Sequence, residues 1–174
     1  MLVGNYRLLP RLPMPAVQGV LFGLTALLLL LYFRVRRLRD WIDALDLRSL
    51  VLLHVTRFVG FYFLFLYQRG ELPYEFAVPG GWGDIIVAVL ALGVVFWPMN
   101  DLRRRRALTM WNVIGFVDIV LAVITAARIG SAAPWRMMAL TVLPLSLLPT
   151  FLLPLLIATH VIIYLRLRRE ASAA

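Results

Sequence analysis

Two pairs of residues in this chain have the types and spacing to do chemistry, and both draw on one apolar run. Ser49 to Tyr67, SLVLLHVTRFVGFYFLFLY, is long enough to cross a bilayer, yet it carries His54 and Arg57 one helical turn apart. An arginine near the centre of a span costs about 2.5–3.5 kcal/mol on insertion scales, so such a residue normally faces a protein interior and has a partner. Asp118 is the acid at comparable depth, roughly 13–15 Å from the arginine-rich ends of its span at about 1.5 Å per residue. Arg57 and Asp118 therefore read as an intramembrane ion pair. It either locks two helices together or serves as a charge relay or anion site.

The chain has two histidines, His54 and His160, and both fall about 9 Å from the same end of their runs. Neutral imidazole is a common iron ligand, and two histidines at one level on different helices are what a haem clamped across a bundle requires. The spacing predicts His54 and His160 as axial ligands of a haem b iron, with Arg48 or Arg166 meeting the propionates. The plainer alternatives are two separate histidines that hydrogen-bond between helices, or a proton relay. Two histidines alone fall short of the four ligands of a closed zinc site. Glu71, Glu75 and Asp84 border a Gly-, Pro- and aromatic-rich stretch, QRGELPYEFAVPGGWGD. They predict an acidic cluster at an outer mouth, with an N-cap as the ordinary role of Asp84. The absence of cysteine excludes disulfides, thiolate metal sites and cysteine nucleophiles. No G-x-S-x-G, HExxH or phosphate-loop pattern is present.

The elements that must position these residues are transmembrane helices. A 174-residue chain with 62% hydrophobic residues and a mean hydropathy of +0.86 has too much apolar surface for a water-soluble domain of its size. Residues 1–174 read as one all-α domain with five spans, about 17–33, 49–67, 84–98, 109–128 and 139–165. Met1 to Pro15 is a proline-rich tail, and the first span is retained because arginines, not a small-residue cleavage site, follow it. Leu38, Trp41, Ile42 and Leu45 fall at i, i+3, i+4 and i+7, which predicts an interfacial amphipathic helix over about 37–47. The last apolar run is too long for one upright helix, and Pro144, Pro149 and Pro154 predict a kinked or broken first half.

All 18 basic residues are arginine, and the net charge is +9. Arg34, Arg36, Arg37, Arg39, Arg48, Arg103 to Arg106, Arg166, Arg168 and Arg169 gather at one end of the spans. By the positive-inside rule this puts the N-terminus outside and the C-terminus in the cytoplasm. The partners expected are anionic lipid head groups, with other membrane subunits or a homo-oligomer, and no nucleic acid. Gly81-Trp-Gly-Asp84-Ile and Gly115-Phe-Val-Asp118-Ile share G-x-x-D-I on neighbouring spans, either a fragment of an inverted repeat or coincidence in an Ala-, Val- and Ile-rich sequence.

The motifs R-F-V-G-F-Y, E-L-P-x-E-F-A-x-P-G-G-W-G-D and W-N-x-x-G-x-x-D, spanning Arg57 to Asp118, resemble those of small bacterial multi-pass inner-membrane proteins without an assigned activity. The resemblance implies a bacterial inner-membrane protein with a functional outer loop, and it brings no substrate, cofactor or catalytic residue. Three functions follow from the residues themselves. The first is a haem-binding redox or electron-transfer subunit. The others are a small transporter or channel-like carrier with a polar interior, and a non-catalytic accessory or assembly subunit.

Overall fold

The computed structural model describes residues 14–173, so the N-terminal tail with Arg7, Arg11, Pro10 and Pro13 lies outside the described residues. The described residues form an all-α structure without strands. Its elements are α1 (Met14–Arg34), α2 (Arg36–Ala44), α3 (Leu47–Leu52), a 3₁₀ segment (Leu53–Val59), α4 (Gly60–Gln68), α5 (Tyr74–Phe96), α6 (Asp101–Ala132), a second 3₁₀ segment (Pro134–Thr141), a π-helical turn (Leu148–Leu152) and α7 (Leu153–Ala173). Five stretches are long and apolar enough to span a bilayer: Ala16–Arg34, Leu47–Gln68, Tyr74–Phe96, Asp101–Ala132 and Leu148–Ser172. Large apolar side chains such as Phe61, Phe65, Val89, Val117 and Leu121 point outwards, as in a chain whose solvent is lipid. It is a multi-pass membrane protein.

Several boundaries differ from the sequence expectation for physical reasons. The third span starts at Tyr74, ten residues before Asp84, because Pro73 caps the helix and α5 then runs straight through Pro79-Gly-Gly-Trp-Gly. Glycine and proline usually signal a loop, but here they serve close packing between helices. A Cβ on Gly60 would run into the carbonyl oxygen of Gly81, so α4 and α5 touch backbone to backbone. The fourth span also starts early, at Asp101, because the Asn100 side chain accepts from Arg103 N at 2.9 Å. The basic block Arg103 to Arg106 is thus helical. The final run is broken: 3₁₀ and π segments precede α7, which begins only at Leu153.

Arginines at one end of the bundle tie elements together. Arg104 Nη1 donates to Val94 O and Val95 O at 3.3 and 3.2 Å, closing the C-terminus of α5, where helix carbonyls have no internal partner. Arg166 Nη1 donates to Leu45 O at 2.8 Å. Arg169 donates to Asp43 Oδ2 and to the Tyr32 hydroxyl, each at 2.8 Å, while that hydroxyl donates to Asp43 Oδ1 at 2.8 Å. The amphipathic α2 is in this way held to α1 and α7, with Ile42 and Leu45 against the core and Trp41 exposed.

The core divides into two apolar clusters. The one at the arginine-rich end contains Tyr32, Leu50, Val51, Val87, Ala91, Leu108, Trp111 and Ile163 among others. The one at the opposite end contains Phe63, Leu66, Phe76, Met137, Leu140 and Leu148. The buried polar residues His54, Arg57, Asn112, Thr159 and His160 fall between the two along their spans.

Candidate functional site

The polar layer is organised by the 3₁₀ segment. With three residues per turn, positions i and i+3 eclipse, so His54 and Arg57 stack on one face; an α-helix would set them about 60° apart. Both are fully buried.

Arg57 uses all three guanidinium nitrogens. Its Nε donates to Asp84 Oδ1 at 2.7 Å, Nη1 donates to Gly115 O at 2.9 Å, and Nη2 is bonded to Asp118 Oδ2. The arginine is 1% exposed, with Asp84 at 17% and Asp118 at 22%. Asp118 fits because residue 83 is glycine: a Cβ there would collide with the Asp118 carboxylate. Asp84 is therefore neither an N-cap nor part of an outer acidic cluster. It sits in the middle of α5, one turn and a half beyond Pro79. The other two acids of that expected cluster are separate and exposed, Glu71 with Arg69 at 2.6 Å and Glu75 with Arg136 at 3.0 Å. The two G-x-x-D-I copies place both of their aspartates on one arginine, and the glycine of the second copy supplies the carbonyl that the arginine also binds.

His54 and His160 lie beside this triad with ring centroids 4.2 Å apart, tilted by 52°. Asn112 fixes His160: its amide nitrogen donates to His160 O at 3.1 Å, so its oxygen faces Nδ1 at 2.8 Å and accepts from it. His160 is thus the Nδ1–H tautomer, with Nε2 a bare acceptor. His54 Nε2 is 3.1 Å from the Thr159 hydroxyl, which also reaches the Leu155 and Leu156 carbonyls at 3.0 and 2.9 Å. His54 Nδ1 and His160 Nε2 have no hydrogen-bond partner among the described residues, although both atoms are buried. Trp111 closes the pair from the arginine-rich end, its ring edge-on to His54 at 5.0 Å and its Nε1 donating to Val87 O at 3.0 Å. It is buried there.

These residues do not fit a haem in this arrangement. Two axial bonds of about 2 Å already separate the ligating nitrogens by about 4 Å, and the ring centres lie farther out. Here the ring centres themselves are 4.2 Å apart, so the rings are in contact and no macrocycle passes between them. Among the described residues no group of three or more His, Asp or Glu is placed to hold a metal ion.

The feature that the sequence did not announce is a cleft leading to the triad. It is narrow, with a cavity volume of about 80 Å³, and is walled mainly by apolar side chains of α1, α4, α6 and the broken segment before α7, including Leu21, Phe63, Ala126 and Leu152. Arg57 and Asp84 are its charged lining residues. Apolar walls with a few convergent polar groups are the usual chemistry of small-molecule sites, and the narrowness of this one restricts it to a slender ligand. No periodicity foretells this space, because it arises where the 3₁₀ and π segments fail to fill the bundle.

One family spans almost all of the described chain: residues 14–168 match the family described as Domain of unknown function (DUF8737). No curated protein and no solved structure matches the chain.

Proposed function

The chain belongs to the DUF8737 family, a domain of unknown function, and on that footing we propose that it is a small proton-coupled membrane carrier whose coupling site is Arg57, Asp84 and Asp118. The observation that carries this reading is the charge balance of the triad. One guanidinium faces two carboxylates, each on a different membrane-spanning stretch and within hydrogen-bond reach. Fully ionised, the group has one negative charge too many for a buried place, where an unbalanced charge is costly. A proton on the second carboxylate, or a cation beside it, restores balance. Asp84 is the carboxylate for that role, because it lines the cleft and gives Arg57 only its Oδ1. Asp118 stays with Arg57.

His54 and His160 stay neutral in this scheme and supply the polar floor behind Arg57. The expected surroundings are the bacterial inner membrane, with the N-terminus outside and the C-terminus in the cytoplasm. What supports that orientation is the gathering of arginine clusters at one end of the spans. The test is proton movement. In liposomes with an entrapped pH dye and an imposed pH gradient, wild type should carry protons measurably faster than empty vesicles. Asp84→Asn should reduce the rate at least tenfold while the protein still elutes as a folded species. Equal rates for wild type and Asp84→Asn would overturn the reading.

A further inference from the structure

The geometry points to a lipophilic monovalent cation, an amine or onium group on an apolar body, as the ligand of the cleft, with its charge beside Asp84 and its apolar part among Leu21, Phe63, Ala126 and Leu152. This deepens the carrier reading and rests on it.

Three observations converge on this chemistry. The cleft wall is overwhelmingly apolar along its length, so it rewards a ligand that buries hydrocarbon and not a hydrated ion or a sugar. The triad that the cleft reaches holds two acids against one base, so complementarity favours a positive ligand beside Asp84, the acid that lines the cleft. Arg57 adds no competing anion site, because each of its three nitrogens already donates to Asp84, Gly115 O or Asp118. An anionic lipophile would meet a saturated guanidinium and an excess carboxylate. The carboxylate that lines the cleft, Asp84, keeps Oδ2 without a hydrogen bond among the described residues.

Exchange at this site balances simply. The protonated Asp84 carboxyl releases its proton as the cation arrives, the O–H bond breaks, and the carboxylate pairs with the ligand. One positive charge enters and one leaves. Both states leave the triad with its ligand neutral, and no oxidant, reductant or covalent intermediate is required. A matched pair of slender probes isolates the charge requirement: n-hexyltrimethylammonium is a cation and n-hexylsulfonate an anion on the same alkyl chain.

The experiment is equilibrium binding of each probe to the purified full-length chain in a neutral detergent, with proton release followed by a dye in weakly buffered solution. Hexyltrimethylammonium should bind at least tenfold more tightly than hexylsulfonate, and Asp84→Asn should abolish that preference. Ala126→Trp, which fills the cleft away from the triad, should weaken hexyltrimethylammonium binding at least tenfold and serves if Asp84→Asn fails to fold. Equal binding of the two probes would mean that the cleft is an apolar slot for a lipid chain, and the inference falls. Absence of binding by either overturns it as well. Cation binding without proton release would leave the ligand class standing and overturn the proton-coupled reading. Proton transport without cation binding would do the reverse.

Discussion

The two apolar clusters on either side of the charged layer are made of similar residues, yet one is sealed and the other holds the cleft. At the arginine-rich end, regular stretches of α5, α6 and α7 bring Val87, Ala91, Leu108, Trp111 and Ile163 together, with Tyr32 of α1 and Val51 of α3 completing the packing. At the other end, Met137, Leu140, Leu145 and Leu148 come from 3₁₀, turn and π segments, and the space they leave is the cleft. The difference lies in backbone regularity and not in hydrophobicity. Continuous helices pack by repeating ridges and grooves, whereas a segment interrupted at Pro144 and Pro149 presents no such ridge. The cleft therefore approaches the triad from this end, at Arg57 and Asp84.

Three changes would break or sharpen this contrast. The largest effect belongs to Arg57→Met, which removes the charge joining the halves and strands two carboxylates against each other. A loss of about 3–5 kcal/mol is expected, read as a collapse of thermal stability in detergent. Adding Asp84→Asn and Asp118→Asn should recover much of it. A triple variant no more stable than the single one would show that Arg57 acts through its shape and not its charge. Next comes a matched pair of enlargements. Ala91→Leu in the sealed cluster should cost about 1–3 kcal/mol by overpacking, whereas Ala126→Leu on the cleft wall should be nearly neutral. Equal losses in the two would erase the distinction between the halves.

The smallest effect tests the fastening of the sealed end. Burial pushes the Asp43 carboxyl up, but the hydrogen bonds from Tyr32 and Arg169 outweigh it and hold the group below its usual value. A depressed carboxylate stabilises the fold fully above its unfolded value, about 3.9, and loses that contribution as pH falls through the lower folded value. Wild type should therefore lose up to about 1 kcal/mol more than Asp43→Asn on acidification through this window, since the pair is partly exposed. Thermal unfolding of both proteins across acidic pH measures it, and parallel curves would show that the fastening contributes nothing.

The five spans were legible because hydrocarbon thickness sets a minimum length and composition advertises it. The amphipathic α2 was legible from the spacing of Leu38, Trp41, Ile42 and Leu45. Asp84 was misplaced because Pro79-Gly-Gly-Trp-Gly carries the chemistry of a turn, and only the neighbouring backbone of Gly60 and the carboxylate of Asp118 reveal why small residues were needed inside a helix. A signal was available all the same: the shared G-x-x-D-I pattern put Asp84 and Asp118 in matching positions. Depth arithmetic placed the two histidines at one level, but it carried no information on ring separation, and that distance decides against a shared iron. The cleft was invisible to the sequence because it is a property of what irregular segments do not fill.

The π turn at Leu148–Leu152 reaches beyond its own five residues. A π turn carries one residue more than the α turn it replaces, and each residue of an α-helix adds about 100° of rotation and about 1.5 Å of advance. The azimuth of everything downstream is consequently set there, including the direction in which Thr159 and His160 meet His54 and Asn112. Deleting a single residue from this turn would act as a phase error: α7 would either rotate by about a quarter turn or slide along its axis. Its polar residues would be carried away from the layer without one of them being altered. In this protein the angular register of the last helix is encoded upstream of it, in the π turn.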